Sequence, residues 1–86
     1  MKSVRYSKLA LRVLQRMPAN TARTIRAKIE QYAADPASLA NNLRPLKGDE
    51  FKGYTRLRVG DWWVIMRDDG AVVDIAEIGP RSDIYD

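Results

Sequence analysis

Apolar residues in the first third of the chain recur with the period of an α-helix. One stripe has the spacing i, i+3, i+4, i+7 and consists of Ala10, Val13, Leu14 and Met17. A second stripe follows and consists of Ala22, Ile25, Ile29 and Tyr32 or Ala33. Because only a few residues separate the two helices, we expect them to form an antiparallel hairpin.

Capping residues and prolines mark the ends of these helices. The Ser7 hydroxyl can accept from the free amides of a first helical turn, so we expect Ser7 to cap the first helix, which Pro18 ends. Asn20 or Thr21 is the expected cap of the second helix. That helix should end before Asp35-Pro36, because a residue preceding proline is pushed out of the α region.

The hydrophobic period changes to two from Gly53 onward, which predicts β-strands. Turn signals at Gly60-Asp61 and Asp69-Gly70 divide this part of the chain into three antiparallel strands. The short segment of residues 2–6 could form a further strand. Residues 36–52 are expected to form a loop or a short helical turn that is pinned by its leucines.

The two turns predict which strand residues face each other. With Gly60-Asp61 as the first tip, Val59 faces Trp62. With Asp69-Gly70 as the second tip, Met66 faces Val73 and the same offset pairs Trp63 with Ala76.

This register separates the sheet into two faces of different character. The first, which we call the helix-packed face, is wholly apolar and consists of Leu57, Val59, Trp62, Val64, Met66, Val73 and Ile75. The second, which we call the arginine face, consists of Tyr54, Arg56, Arg58, Trp63, Ile65, Arg67, Val72, Asp74 and Ala76. The predicted fold is therefore α+β, with an N-terminal helical hairpin packed on one face of a small antiparallel sheet.

The composition limits the domain count and the chemistry. Eighty-six residues suffice for a single domain, residues 1–86, and a hydrophobic content of 45% excludes a disordered chain. Cysteine and histidine are absent, which excludes disulfides, zinc sites and catalytic dyads or triads that need thiolate or imidazole. We expect no metal site and no cofactor. Neither a signal peptide nor a membrane-spanning run is recognisable, so we expect a cytoplasmic protein.

Positive charge is concentrated in the first part of the chain. Residues 1–34 contain eight Lys or Arg and one acid, whereas residues 35–86 contain seven Lys or Arg and ten acids. A basic segment of this kind favours a polyanionic partner, although solvated helix faces explain the same pattern. On the arginine face, guanidinium groups can bind phosphates and aromatic rings can stack on bases. A large exposed aromatic such as Trp63 favours contact with a partner over surface packing.

Several motifs in their order along the chain resemble a known superfamily. They are RPLKG at 44–48, GYTRLRVGDWWVI at 53–65, DDG at 68–70 and EIGPRSDIY at 77–85. Together they resemble the RelE/ParE superfamily of bacterial toxin-antitoxin toxins, particularly its RelE branch. The resemblance implies a RelE-like fold of the microbial-ribonuclease type and a RelB-like antitoxin partner. It also implies a ribosome-dependent endoribonuclease (mRNA interferase) that cleaves messenger RNA in the ribosomal A site and inhibits translation.

The resemblance also implies roles for individual residues. Arg56, Arg81 and Tyr85 match the positions of catalytic residues in the family. Two positions depart from the family pattern, because Tyr54 replaces a strand lysine and Trp63 stands where many members have an arginine. The expected contacts to RNA and the ribosome are Lys47, Lys52, Tyr54, Arg58, Trp63, Arg67, Arg23, Arg26 and Lys28.

Other readings of the same residues remain open. A ParE-like toxin that poisons DNA gyrase needs no catalytic residues, and the loss of an arginine at Trp63 favours it or a catalytically weakened RelE homologue. A non-catalytic RNA-binding module is a further alternative. In a toxin-antitoxin pair, operator DNA would be bound through the antitoxin.

Overall fold

The computed structural model describes residues 1–80, in which two α-helices cover one face of a five-stranded sheet. The helices are α1 (Lys8–Arg16) and α2 (Ala19–Ala34). The strands are β1 (Ser3–Tyr6), β2 (Leu43–Pro45), β3 (Tyr54–Val59), β4 (Trp62–Asp68) and β5 (Val72–Pro80). Short 3₁₀ segments occupy Pro36–Asn42 and Asp49–Phe51. The predicted α+β class, with the helices on one face of the sheet, is confirmed.

The strands are arranged in the order β1-β5-β4-β3-β2. The pairs from β2 to β5 are antiparallel, as predicted, whereas β1 runs parallel to β5. A parallel pair needs a long crossover connection, which here contains both helices. The same connection also contains β2, β3 and β4. No helix within residues 1–80 combines the length and the apolar character needed to cross a membrane.

The helix ends follow the expectation at three of four points. The Ser7 Oγ accepts from the Ala10 amide at 3.0 Å, and α2 ends at Ala34, immediately before Asp35-Pro36. The expected cap at Asn20 or Thr21 is wrong. The N-cap is Pro18, two residues before Asn20, and the helix begins at Ala19 without a side-chain cap. The Pro18 carbonyl accepts from the Ala22 amide in the first helical turn.

The β3–β4 hairpin has the predicted register. Val59 pairs with Trp62 across a two-residue turn, and Tyr54 pairs with Arg67 at the far end. Gly60 has φ 58°, a conformation that glycine adopts without a Cβ penalty. The Gly-first turn inferred from the sequence is thus confirmed.

The predicted β4–β5 register is wrong by two residues. Met66 pairs with Ile75 instead of Val73. The turn is longer than the predicted two residues because Asp68 Oδ1 accepts from the Gly70 amide and Asp69 Oδ1 accepts from the amides of residues 71 and 72. A shift of two residues preserves the side-chain alternation, so both strands still present the predicted faces.

A β-bulge changes the register again further along β5. Ile65 pairs with Glu77, so Ala76 is the additional residue, and Trp63 faces Gly79 instead of Ala76. The bulge lets both Ile75 and Ile78 enter the core. It also places Glu77 on the arginine face.

The core lies between the two helices and the helix-packed face, as predicted. Its buried side chains come from both helices, the first 3₁₀ segment and β3–β5: Ala10, Leu14, Ile25, Ile29, Tyr32, Leu39, Leu57, Val59, Val64, Met66, Val73, Ile75 and Ile78. Trp62 is partly buried against this cluster. Burial of this apolar surface is the main stabilising contribution to the fold.

The segment expected to be a loop contains a strand that the sequence pattern did not predict. Leu39 is buried and Leu43 packs on the core, so the leucines pin the segment as expected. Leu43–Pro45, however, forms the edge strand β2 and pairs with β3. Three residues, the last of which is a proline, are too few to show a period of two.

Candidate nucleic-acid interface

The arginine face has a strongly uneven distribution of charge. On β2, β3 and β4 it carries four arginines, Arg44, Arg56, Arg58 and Arg67, and no carboxylate. Its acidic side chains within the described strands lie on β5, at Asp74 and Glu77. One half of the face is therefore cationic and can attract a polyanion.

Arg56 and Trp63 are both buried on this face. Each is 7% exposed, and the Arg56 Cζ lies 3.6 Å from the centroid of the Trp63 ring. Ile65, which pairs with Arg56 across the strands, is 5% exposed. The expectation that Trp63 is an exposed aromatic surface is wrong, because its ring packs against the neighbouring guanidinium.

Exposed or half-buried side chains surround this buried pair. Arg58 and Arg67 are exposed, and Tyr54, which pairs with Arg67, is half-buried. The Arg67 Nε lies 3.9 Å from the position that a Cβ would occupy at Gly53, so its guanidinium group extends over the turn before β3.

Two lysines extend the cationic half beyond the strands. Lys47 and Lys52 are both exposed and belong to the segment that connects β2 to β3. These residues therefore lie on the β2–β4 half of the sheet. Lys47, Lys52, Tyr54 and Arg67 are near the β2–β3 connection, whereas Arg58 is near the β3–β4 turn.

Arg44 is a member of the cationic half that the sequence analysis missed. It is exposed and lies directly opposite Arg56 on the neighbouring strand. It was overlooked because β2 was not predicted, and a residue in a loop has no assigned face. The available signal was the sequence Leu43-Arg44-Pro45, in which an arginine stands between a core leucine and a proline.

The opposite end of the arginine face is partly neutralised. The Arg5 Nε donates to Asp74 Oδ1 at 2.8 Å, and its terminal nitrogen donates to Asp74 Oδ2 at 3.2 Å. Both side chains are substantially exposed, so the pair contributes little stability. Its consequence is electrostatic, since the β1–β5 end has less uncompensated positive charge than the β2–β4 end.

The predicted helix contacts form a separate surface. Arg23 and Lys28 are exposed on α2, as are Arg12 and Arg16 on α1. Arg26 is half-buried, and its Cζ lies 5.1 Å from the centroid of the Tyr6 ring. Because the helices cover the other side of the sheet, these cations and the arginine face point in different directions.

The remaining predicted catalytic residues, Arg81 and Tyr85, lie outside the described residues. Within residues 1–80, no group of three or more acidic side chains is placed to hold a metal ion. The described arginines of this face supply positive charge, and guanidinium groups can bind phosphate oxygens in pairs.

Comparisons with known proteins agree with the fold. The chain is similar to a chain of the archaeal RelE-RelB complex from Pyrococcus horikoshii, at 23% identity over 95% of this chain and 97% of that one, with a TM-score of 0.74. The YoeB/ParE toxin from Agrobacterium tumefaciens is similar at 20% identity over 93% and 98%, with a TM-score of 0.73. A chain of the E. coli DinJ-YafQ toxin-antitoxin complex is similar at 15% identity over 99% and 98%, with a TM-score of 0.71. These likenesses show a shared fold.

The family comparison covers almost the whole chain. No curated protein sequence matches the chain. The family model described as "ParE toxin of type II toxin-antitoxin system, parDE" matches residues 4–85. The chain therefore belongs to the ParE toxin family of type II toxin-antitoxin systems, within the RelE/ParE superfamily that its sequence resembles.

Proposed function

We propose that residues 1–86 form the single domain of a type II toxin that acts as a metal-independent, ribosome-dependent endoribonuclease on messenger RNA. The observation that carries the proposal is the cationic half of the arginine face, where Arg44, Arg58 and Arg67 are exposed around the buried Arg56. RNA phosphates are the polyanion that such a surface suits, because several guanidinium groups lie on one face of the sheet and that face carries no carboxylate on β2–β4.

The reaction would use the 2′-hydroxyl of the substrate as its nucleophile. Attack of that oxygen on the adjacent phosphorus forms a cyclic phosphate and releases the 5′-oxygen of the next nucleotide. Negative charge develops on the pentacovalent phosphate and on the leaving oxygen. Preorganised cations at those positions lower the barrier, and this is the role proposed for Arg56 and Arg81.

The proposed site has no efficient general acid or base for proton transfer. Histidine is absent from the chain, and arginine cannot exchange protons at physiological pH. We assign Tyr85 either to stacking on a base or to proton removal. Such a site depends on in-line positioning of the substrate, which a ribosome that holds the message in its A site would supply. Purified toxin should therefore cut free RNA far more slowly than ribosome-bound message.

An antitoxin is the proposed protein partner. One of the similar structures is described as a RelE-RelB complex and another as a DinJ-YafQ toxin-antitoxin complex, and this supports a RelB-like antitoxin for this chain. We further propose that the toxin acts in the cytoplasm, where its ribosomal target lies, and that the complex binds operator DNA through the antitoxin.

A ParE-like gyrase toxin is the second candidate. Burial of Arg56 and Trp63 favours it, because a guanidinium that is 7% exposed has limited direct access to a phosphate. The family model that matches the chain also bears the ParE name. A gyrase poison would require a protein-binding surface and no arrangement of catalytic groups.

Induction of the toxin in cells separates the two candidates. Protein synthesis, DNA synthesis and the 5′ ends of translated messages are followed from the first minutes. The ribonuclease proposal predicts early loss of protein synthesis and cuts within codons, and both should be abolished by Arg81→Ala. Early DNA damage signalling without new 5′ ends would instead support the gyrase candidate.

Two arginine variants on the same sheet provide a matched comparison. Arg44→Ala removes an exposed cation beside Arg56, and we expect it to reduce cleavage by about 10-fold. Arg5→Ala removes an exposed cation that is paired with Asp74 at the other end of the sheet, and cleavage should change less than about 2-fold. Equal losses in both variants would show that Arg44 acts only through overall charge.

A further inference from the structure

Arg56 and Trp63 are diagonal neighbours on adjacent antiparallel strands. Arg56 pairs with Ile65, and Trp63 lies two residues before Ile65 on the same face. This arrangement brings the Arg56 Cζ to 3.6 Å from the Trp63 ring centroid, well inside the distance for a cation–π contact. Both residues are 7% exposed, so the contact is removed from bulk water.

The surroundings of Arg56 make this contact important. A buried guanidinium loses hydration, which costs free energy unless neighbouring groups compensate for it. Arg44 lies opposite Arg56 and Arg58 lies two residues further along β3 on the same face, so like charges also repel it. The negative face of an indole ring opposes both effects, and its attraction is greater where water is excluded.

We propose that Trp63 is a positioning residue for Arg56. Its ring holds the guanidinium in one orientation beneath the exposed Arg44 and Arg58, so that a fixed positive charge is available at the substrate phosphate. The inference rests on the proposed ribonuclease function. It assigns a role to Trp63, which stands where many members of the RelE/ParE superfamily have an arginine. It also replaces the expectation that Trp63 stacks on RNA.

Burial of Arg56 should strengthen the electrostatic interaction of its guanidinium with a nearby phosphate. A charge held in a region of low dielectric acts more strongly on a nearby anion than an exposed one, and it needs no reorientation when the transition state forms. In this arrangement the exposed Arg58 and Arg67 bind the RNA, whereas Arg56, with Arg44 opposite it, contributes to the rate of the chemical step. Loss of the ring should therefore reduce kcat more than it raises KM.

A spectroscopic experiment tests the contact independently of activity. The ring current of Trp63 should shift the Nε–H proton of Arg56 upfield in the NMR spectrum of the ¹⁵N-labelled toxin, with the signal assigned by its absence in Arg56→Lys. We expect the shift to persist in Trp63→Phe, which keeps a ring, and to disappear in Trp63→Leu. A shift that is unchanged in Trp63→Leu would overturn the proposal.

A kinetic experiment on programmed ribosomes tests the consequence. We expect Trp63→Leu to lower kcat by about 10-fold or more with KM within about 2-fold of wild type, while Trp63→Phe retains kcat within about 3-fold. Ile65→Val is the control for packing, because Ile65 is buried on the same face and lies directly opposite Arg56 on β4. It should lower stability without a comparable loss of kcat.

The outcomes separate the two proposals. Equal kcat values for Trp63→Leu and Trp63→Phe, or an equal loss in Ile65→Val, would overturn the positioning role while leaving the ribonuclease function intact. A wild-type toxin that cuts no message would reject the ribonuclease function and any part for Trp63 in it. If Trp63→Leu does not fold, Trp63→Met supplies a second variant without a ring, and a wild-type shift and kcat in that variant would count against the role.

Discussion

At the scale of single residues, Asp68 connects three parts of the molecule. Its Oδ2 accepts from the Tyr32 hydroxyl of α2 at 2.6 Å, and its Oδ1 accepts from Lys2 Nζ at 3.1 Å and from the Gly70 amide at 2.8 Å. Burial alone would raise the pKa of Asp68, but these hydrogen bonds and the Lys2 charge lower it below its ordinary value. Asp68 therefore attaches α2 and the N-terminus to the β4–β5 turn in its charged form.

Replacement of Tyr32 by phenylalanine tests this attachment. Loss of the hydrogen bond to a charged, part-buried acceptor should lower the free energy of unfolding by about 1–2 kcal/mol at neutral pH. Because the folded state lowers the pKa of Asp68, its stabilisation is present above about pH 4 and is lost as the pH falls through the lower folded value. The difference between wild type and Tyr32→Phe in urea titrations should shrink over that range.

The alkaline side gives an independent check of the same bond. Burial and the hydrogen bond to Asp68 raise the pKa of Tyr32 to about 12. The unfolded chain releases the tyrosine proton near pH 10, so the wild type should lose stability between about pH 10 and 12 relative to Tyr32→Phe. Tyr54→Phe, on the arginine face, is the matched control. A difference that stayed constant from acid to alkaline pH would contradict the assignment.

At the scale of elements, turn length decided how much of the sheet could be predicted. The Gly60-Asp61 turn was identified correctly because a two-residue hairpin leaves one register. The Asp69-Gly70 signal was misleading, because the carboxylates of Asp68 and Asp69 bind turn amides and lengthen the loop. The alternation of side chains between the two faces was still predicted correctly, because the register error was two residues. The bulge at Ala76 was not predicted, because it shows no pattern in the sequence.

Ser7 links two elements, and its substitution tests how they support each other. Its Oγ accepts from the Ala10 amide at the start of α1 and donates to the carbonyl of Ala76 at 2.7 Å, where β5 has its bulge. Ser7→Ala loses both bonds and should lower the free energy of unfolding by about 1–2 kcal/mol. Ser7→Thr keeps both functions and should lie close to wild type in urea titration.

Ser7→Asp separates the two bonds. The carboxylate can still accept from Ala10, but it cannot donate to the Ala76 carbonyl and places negative charge against it. We expect its stability to fall between the alanine and threonine variants. If the aspartate variant equalled wild type, the bond to the bulge would contribute nothing.

At the scale of the whole molecule, positive charge occupies two surfaces that face different directions. The sequence located both groups of cations, but it could not show their separation, because only the packing of the helices on one sheet face sets their directions. Nor could it place Arg44 beside Arg56, since β2 is too short to have a periodic pattern. Arg26 was predicted as a surface contact, yet it is half-buried with its guanidinium over Tyr6.

The two surfaces should contribute to different kinetic constants. Arg16 and Arg23 are exposed on the helices, away from the arginine face. Under the proposed ribonuclease function, they would help to hold the toxin on the ribosome without acting at the scissile phosphate. The double variant Arg16→Ala/Arg23→Ala should raise KM by about 3-fold to 10-fold, leave kcat within about 2-fold, and reduce the dependence of KM on salt. Arg44→Ala, on the arginine face, should differ from the helix variant because it should also lower kcat.

Salt titration of cleavage on ribosomes distinguishes this division from a general charge effect. Each removed phosphate contact should reduce the slope of log KM against log salt by about 0.7–0.9. The helix double variant and Arg44→Ala each lose cations on one surface only. If the two surfaces have different roles, both variants should reduce the salt slope, but only Arg44→Ala should lower kcat. If the helix variant lowered kcat as strongly as Arg44→Ala, the helices would belong to the catalytic surface, and the division inferred from the fold would be wrong.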